Sequence, residues 1–161
     1  MDKIDQKREM LRHTVGTLAY RGGKAVRDAP ESFAGFRASE TTRTPAQILA
    51  HICDLLDWAL SMANGAEKWH NSDSQPWVED VKRFHSCLAH FDEVLASRED
   101  LACPCERLFQ GAIADALTHV GQLTILRRIA GSPIRGENYS RADIRAGRVG
   151  ADQTSPAQEF D

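Results

Sequence analysis

Between Trp77 and Leu95 the chain sets six large apolar side chains at alternating steps of four and three: Trp77, Val81, Phe84, Leu88, Phe91 and Leu95. Residues three and four apart share one face of an α-helix, so a line of this period is a seam that a helix buries against its neighbours. A strand, with its period of two, would scatter the same residues over both faces. The 3/4 pattern recurs in three other segments, and the chain therefore reads as all-α, a bundle of four helices. The first helix spans roughly Ile4 to Val26 with the seam Ile4, Arg8, Leu11, Val15, Leu18, Gly22, and the Gly22-Gly23 pair should weaken its end. The second has the clearest start: Thr44 is a good N-cap, Pro45 suits the first helical position and Gln47 completes a capping box. It should continue to about Asn64, with Gly65 as its stop. The third runs from about Pro76 to Ser97 and the fourth from about Glu106 to Gly131. The 161 residues suit one domain with a core of its own. Residues 1–133 form the bundle. Residues 134–161 form an irregular C-terminal tail, whose sparse apolar residues Ile134, Tyr139, Ile144 and Val149 suit packing on the bundle.

The two remaining seams are not wholly apolar. The second helix gives Thr44, Ile48, His51, Leu55, Trp58 and Met62, with His51 interrupting the line. The fourth gives Leu108, Ala112, Asp115, His119, Gln122 and Leu126, with three polar residues held between apolar ones. A buried polar group without a partner costs on the order of 1–3 kcal/mol, and an unpaired carboxylate costs more. Asp115 and His119, four apart, lie on one helix face. If the second and fourth helices are neighbours, His51 meets that pair. Two imidazoles and a carboxylate form a facial set that zinc, nickel, iron(II) or manganese accepts, with positions left open for water or substrate. The same three groups also make a buried polar network that fixes the core without metal. Gln122, one turn on, is placed to hydrogen-bond a metal ligand or touch a bound molecule. Trp58, two turns beyond His51, is a core residue or lines the pocket.

Net charge is -3 on a chain 27% charged, with no basic excess to suggest nucleic acid or an anionic membrane as partner. No apolar run approaches the roughly 18 residues of a membrane span. The charged N-terminus, MDKIDQKREM, lacks the apolar stretch of a signal peptide. A cytoplasmic protein is expected, with Cys53, Cys87, Cys103 and Cys105 as free thiols. One residue separates Cys103 from Cys105, which is not the two-residue spacing of a redox motif or a zinc knuckle. His13, His85 and His90 fall off the seams and read as surface or boundary residues, and His70, in the polar linker HNSDSQ, as solvated. The pair Arg127-Arg128 and the tail's Arg135, Arg141, Arg145 and Arg148 read as solvated charges. Alternatively, the tail arginines close over the pocket mouth and bind an anionic substrate.

The segments TPAQILAHICDLLDWAL and ALTHVGQLTILRRIAG resemble the DinB-like (YfiT-like) superfamily of bacterial four-helix-bundle metalloproteins. In that family a His in the middle of the second helix and an H-x3-H pair in the fourth bind a divalent metal, and the last His is followed by a short segment ending in Gly-Gln. His51 matches the first ligand, and His119, followed by Val120, Gly121 and Gln122, matches the last. Position 115 departs from the pattern, carrying Asp where the family has His, so the implied set is His51, Asp115 and His119. The resemblance covers Ile4 to about Pro133. It implies a metal-dependent enzyme acting on a small-molecule substrate, by thiol S-transferase or hydrolase-like chemistry. The implied thiol cofactor is of low molecular weight, such as bacillithiol or mycothiol, and the implied assembly is a homodimer. The competing reading is a non-catalytic helical binding or stress-response module whose polar core only fixes the packing.

Overall fold

The computed structural model describes residues 3–160 and is predominantly helical. Helix α1 spans Lys3–Val26, α2 Pro45–Ala63 and α3 Trp77–Ala96. The fourth helix is continuous but has three parts: α4 (Cys105–Leu108), a π turn (Phe109–Ile113) and α5 (Ala114–Ile129). α1 and α2 each pack on both α3 and α5, so the four helices enclose one core with α2 beside α5. Phe84, Leu88, Phe91 and Leu95 of the α3 seam are fully enclosed, while Trp77 and Val81 lie half-buried at its open end. They meet Leu18 of α1 and Leu49, Ile52 and Leu56 of α2 in that core. Each such side chain contributes roughly 1.5–3 kcal/mol by leaving water. Among the described residues no helix is long and apolar enough to cross a membrane.

The helix boundaries follow local chemistry. The Thr44 hydroxyl accepts from the Gln47 amide at 3.2 Å and the Gln47 side chain accepts from the Thr44 amide at 2.9 Å, closing the expected capping box. Gly65 ends α2 with φ +77°, a conformation that costs glycine little. α1 passes straight through Gly22-Gly23 instead of fading there. A Cβ at position 22 would stand 2.6 Å from Phe84 Cζ, so this glycine is where the α3 seam presses closest. The side chain of Ile4, the first member of the α1 seam, lies outside the described residues.

Two buried arginines tie helix ends together. Arg8, inside the α1 seam, donates to the carbonyls of Val94, Leu95 and Glu99 at the end of α3. Arg127, read from sequence as solvated, is 5% exposed and donates to the carbonyls of Ala25, Arg27 and Ser132. Both satisfy C-terminal carbonyls that the helices cannot satisfy themselves.

The tail packs on the bundle. Strands β1 (Gly136–Glu137) and β2 (Glu159–Phe160) pair antiparallel. Glu137 is buried and accepts from Lys24 Nζ at 2.9 Å and from the Tyr20 hydroxyl at 2.7 Å. Farther on, the Arg145 carbonyl lies where a Cβ on Gly16 would come within 2.5 Å of it. His85, expected at the surface or boundary, is half-buried on α3 beneath the tail, against the Phe84 ring and the Val149 backbone.

Candidate metal centre

The π turn decides where the polar line of the fourth helix points. A π turn accommodates one extra residue, about 100° of helical phase. Leu108 just before it and Ala112 within it are buried, as the seam predicts. After it the buried positions are Ala116, Val120, Leu123, Leu126 and Arg127, and all but Leu126 fall one residue later than the seam positions Asp115, His119, Gln122 and Leu126. Most of this helix was expected to be buried, but the phase shift moves its polar line from the core to the flank facing α2. The His119 side chain is 12% exposed and that of Asp115 46%. Gln122 is exposed.

On α2, His51 occupies the opposing flank with its side chain 20% exposed. The His51 and His119 ring centroids are 4.6 Å apart, and His51 Nε2 lies 3.8 Å from Asp115 Oδ2. One ligand atom from each of His51, Asp115 and His119 lies within 4.8 Å of the others. His119 Nδ1 hydrogen-bonds the Asp115 carbonyl oxygen at 2.8 Å, with Asp115 Oδ1 at 3.3 Å. A carbonyl acceptor requires the proton on Nδ1, which leaves the Nε2 lone pair available. Burial lowers the His51 pKa below its ordinary 6.5, and the neighbouring His119 imidazole adds to the effect. The shift favours the neutral imidazole, the form that ligates metal. A metal bound at about 2.0–2.2 Å from each ligand wants donors about 3.0–3.5 Å apart. The set lies slightly wider than this, and its two nitrogens and one oxygen have the donor chemistry of an open divalent site.

Two cavities flank the imidazole pair. One, about 470 Å³, borders His119 and is walled mainly by apolar groups, including Ile48, Leu126 and Ile129, with Gln122 at its edge. The other, about 290 Å³, borders His51 and is lined by polar groups, including Asp54, Asn71, Ser72 and Asp73. Arg43 lines both.

The polar cavity is built by the linker between α2 and α3, a contribution the seams do not reveal. Asp54, 2% exposed, accepts from the Ser72 amide at 2.8 Å and from the Ser72 hydroxyl at 2.7 Å. His70 is exposed, as expected of the linker, yet its Nε2 sits 3.1 Å from Asp54 and 3.4 Å from Asp57 and so helps anchor the linker. Thus held, the linker sets Trp69 edge-on to His51 at 5.7 Å and edge-on to Trp58 at 5.9 Å. Trp58 reaches the site through Trp69 and packs over Gly111 of the π turn. Trp69 was missed in the sequence; the signal open there was one large apolar residue in the polar run EKWHNSDSQ. Asp54, Asp57 and His70 form a second group with ligand-like spacing. There Arg83 supplies the positive charge, one guanidinium nitrogen lying 2.7 Å from both carboxylates. These contacts lower the Asp54 pKa against the opposing effect of its burial.

Comparison of this chain with family models, with curated proteins and with solved structures yields no match.

Proposed function

We propose that this chain is a divalent-metal-dependent enzyme of DinB-like type, with His51, Asp115 and His119 as metal ligands and a small molecule as substrate. The convergence of these three residues from two neighbouring helices, between a polar and an apolar cavity, carries the proposal. The resemblance of the α2 and α5 motifs to that superfamily supports the transferase-like or hydrolase-like reading. When bound, the metal supplies Lewis acidity that makes a thiol or water a nucleophile near neutral pH. The chain's own residues orient and enclose. The Asp115 carbonyl fixes the His119 ring through Nδ1. Trp69 covers His51 on the linker side. Gln122 offers its amide to a molecule in the apolar cavity beside His119, and Arg43 meets a charged group at the junction of the two cavities. In a thiol transferase the polar cavity suits the hydrophilic thiol cofactor and the apolar one its electrophilic partner.

The test is metal content of the purified protein after reconstitution with zinc, nickel, iron(II) or manganese, measured in wild type and in the His51→Ala, His119→Ala double variant. About one metal per chain in wild type, lost in a variant of unchanged helicity, supports the reading. Absence of stoichiometric metal from the reconstituted wild type refutes it, and a loss of helicity in the variant identifies the three residues as a packing network. A metal-loaded chain then enters a panel of low-molecular-weight thiols and electrophiles.

A further inference from the structure

A second crevice, independent of the imidazole pair, opens where the tail meets α1 and α5. Its volume is about 290 Å³. Arginines from three separate elements line it: Arg21 of α1, Arg128 of α5 and Arg135 of the tail. In a chain of 20 basic and 23 acidic residues, such a gathering is not a by-product of composition. Between the arginines the wall is apolar, with Leu117, Ile125 and Ile134.

The crevice exists because the tail is held in place. Glu137, its side chain fully buried, is bound by Lys24 and Tyr20. This pins the chain between Arg135 and Tyr139, both of which line the crevice. Tyr139 in turn carries the Arg21 guanidinium over its ring at 4.2 Å, a contact that holds the charge in position without neutralising it. Arg135 lies 3.7 Å from Glu159. Although Arg135 is thus partnered, none of the described residues lining the crevice is acidic, so an anion entering it meets guanidinium groups and no carboxylate.

We infer that this crevice is a binding site for a small amphipathic oxyanion, a carboxylate or phosphate monoester whose head lies among Arg21, Arg128 and Arg135 and whose apolar body lies on Leu117, Ile125 and Ile134. At about 30 Å³ per water-sized group the volume holds roughly ten such groups, the size of a medium-chain acid. The backbone of Gly121 also faces the crevice, and a Cβ built there meets nothing within 4 Å. A larger side chain at this position fills the space without touching an arginine.

The experiment is calorimetric titration of the full chain with octanoate, octyl phosphate, inorganic phosphate and octanol at low and high salt. Saturable binding of octanoate and octyl phosphate that weakens with salt is expected, with inorganic phosphate and octanol each at least tenfold weaker. The Arg21→Gln, Arg128→Gln double variant, which alters two exposed side chains, should lose at least tenfold in octanoate affinity. Gly121→Leu should abolish binding with all the arginines intact. The His51→Ala, His119→Ala variant should bind octanoate as wild type does, which separates this site from the proposed metal centre. Equal affinity of wild type and the arginine variant, equal binding of octanol and octanoate, or undiminished binding to Gly121→Leu would each overturn the inference.

Discussion

Replacing Glu137 by leucine removes the charge that holds the tail to α1. In the native chain the Glu137 side chain is 0% exposed and that of Lys24 8%, so each ion depends on the other. Removing one member of a buried pair costs about 3–5 kcal/mol, because the partner remains desolvated and uncompensated. Lys24 would keep two lesser partners, the Glu159 carboxylate at 3.7 Å and the Tyr139 ring at 5.9 Å, which places the expected loss near the lower end, about 3 kcal/mol. For a chain of this size that is a fall in Tm of roughly 6–12 °C. The measurement is thermal and urea unfolding followed by circular dichroism, on Glu137→Leu and on a triple variant that adds Tyr20→Phe and Lys24→Met. The triple variant leaves no buried charge or hydroxyl unmatched and should recover all but about 1–2 kcal/mol of the loss. The reasoning fails if the single change costs less than about 1 kcal/mol, or if the triple variant is no more stable than the single one.

Three further outcomes are expected. Gly22→Ala drives a methyl against the enclosed Phe84 ring and should destabilise by about 1–2 kcal/mol, whereas Gly121→Ala, in a helix with open space before it, should stabilise by about 0.5–1 kcal/mol. Opposite shifts in urea midpoint at the two positions check this, and shifts of the same sign contradict it. Thr44→Ala removes the hydroxyl that accepts from the Gln47 amide, leaves the backbone half of the capping box, and should cost about 1 kcal/mol in the same assay, with no change in the number of helices. Burial lowers the His85 pKa below its ordinary 6.5, so its contribution to stability is present above pH 6.5 and is lost as pH falls through the folded-state value. Unfolding midpoints should therefore fall as pH drops below 6.5, and His85→Phe should flatten that part of the curve.

The α3 seam and the Thr44 capping box were legible because each depends on a period or a motif a few residues long. His51 and His119 were legible for the same reason, as polar interruptions in apolar lines. The depth of the polar line was not. The seam rule assumes an unbroken helical period, and the π turn at Phe109–Ile113 adds a residue that nothing in FQGAI announces. Arg8 and Arg127 illustrate a different limit. Apart from the Ser132 carbonyl near Arg127, the carbonyls they bind lie 86 or more residues away in the chain, so a local reading of the α1 seam could only record Arg8 as an anomaly and leave Arg127 in solvent. Trp69 and Asp54 acquire their roles from a linker without regular structure, and their pairing rests on contacts with no sequence period.

The π turn also bears on how such a site could arise or disappear. With the π turn wound as ordinary α-helix and every residue kept, the downstream helix would turn by about 100°, and the column of Ala116, Val120 and Leu123 would trade places with that of Asp115, His119 and Gln122. Removing one residue of FQGAI at the same time would cancel that rotation and leave both columns where they are. In chains built on this plan, a fourth helix without the π turn should keep its ligands on this flank only where it is one residue shorter before them.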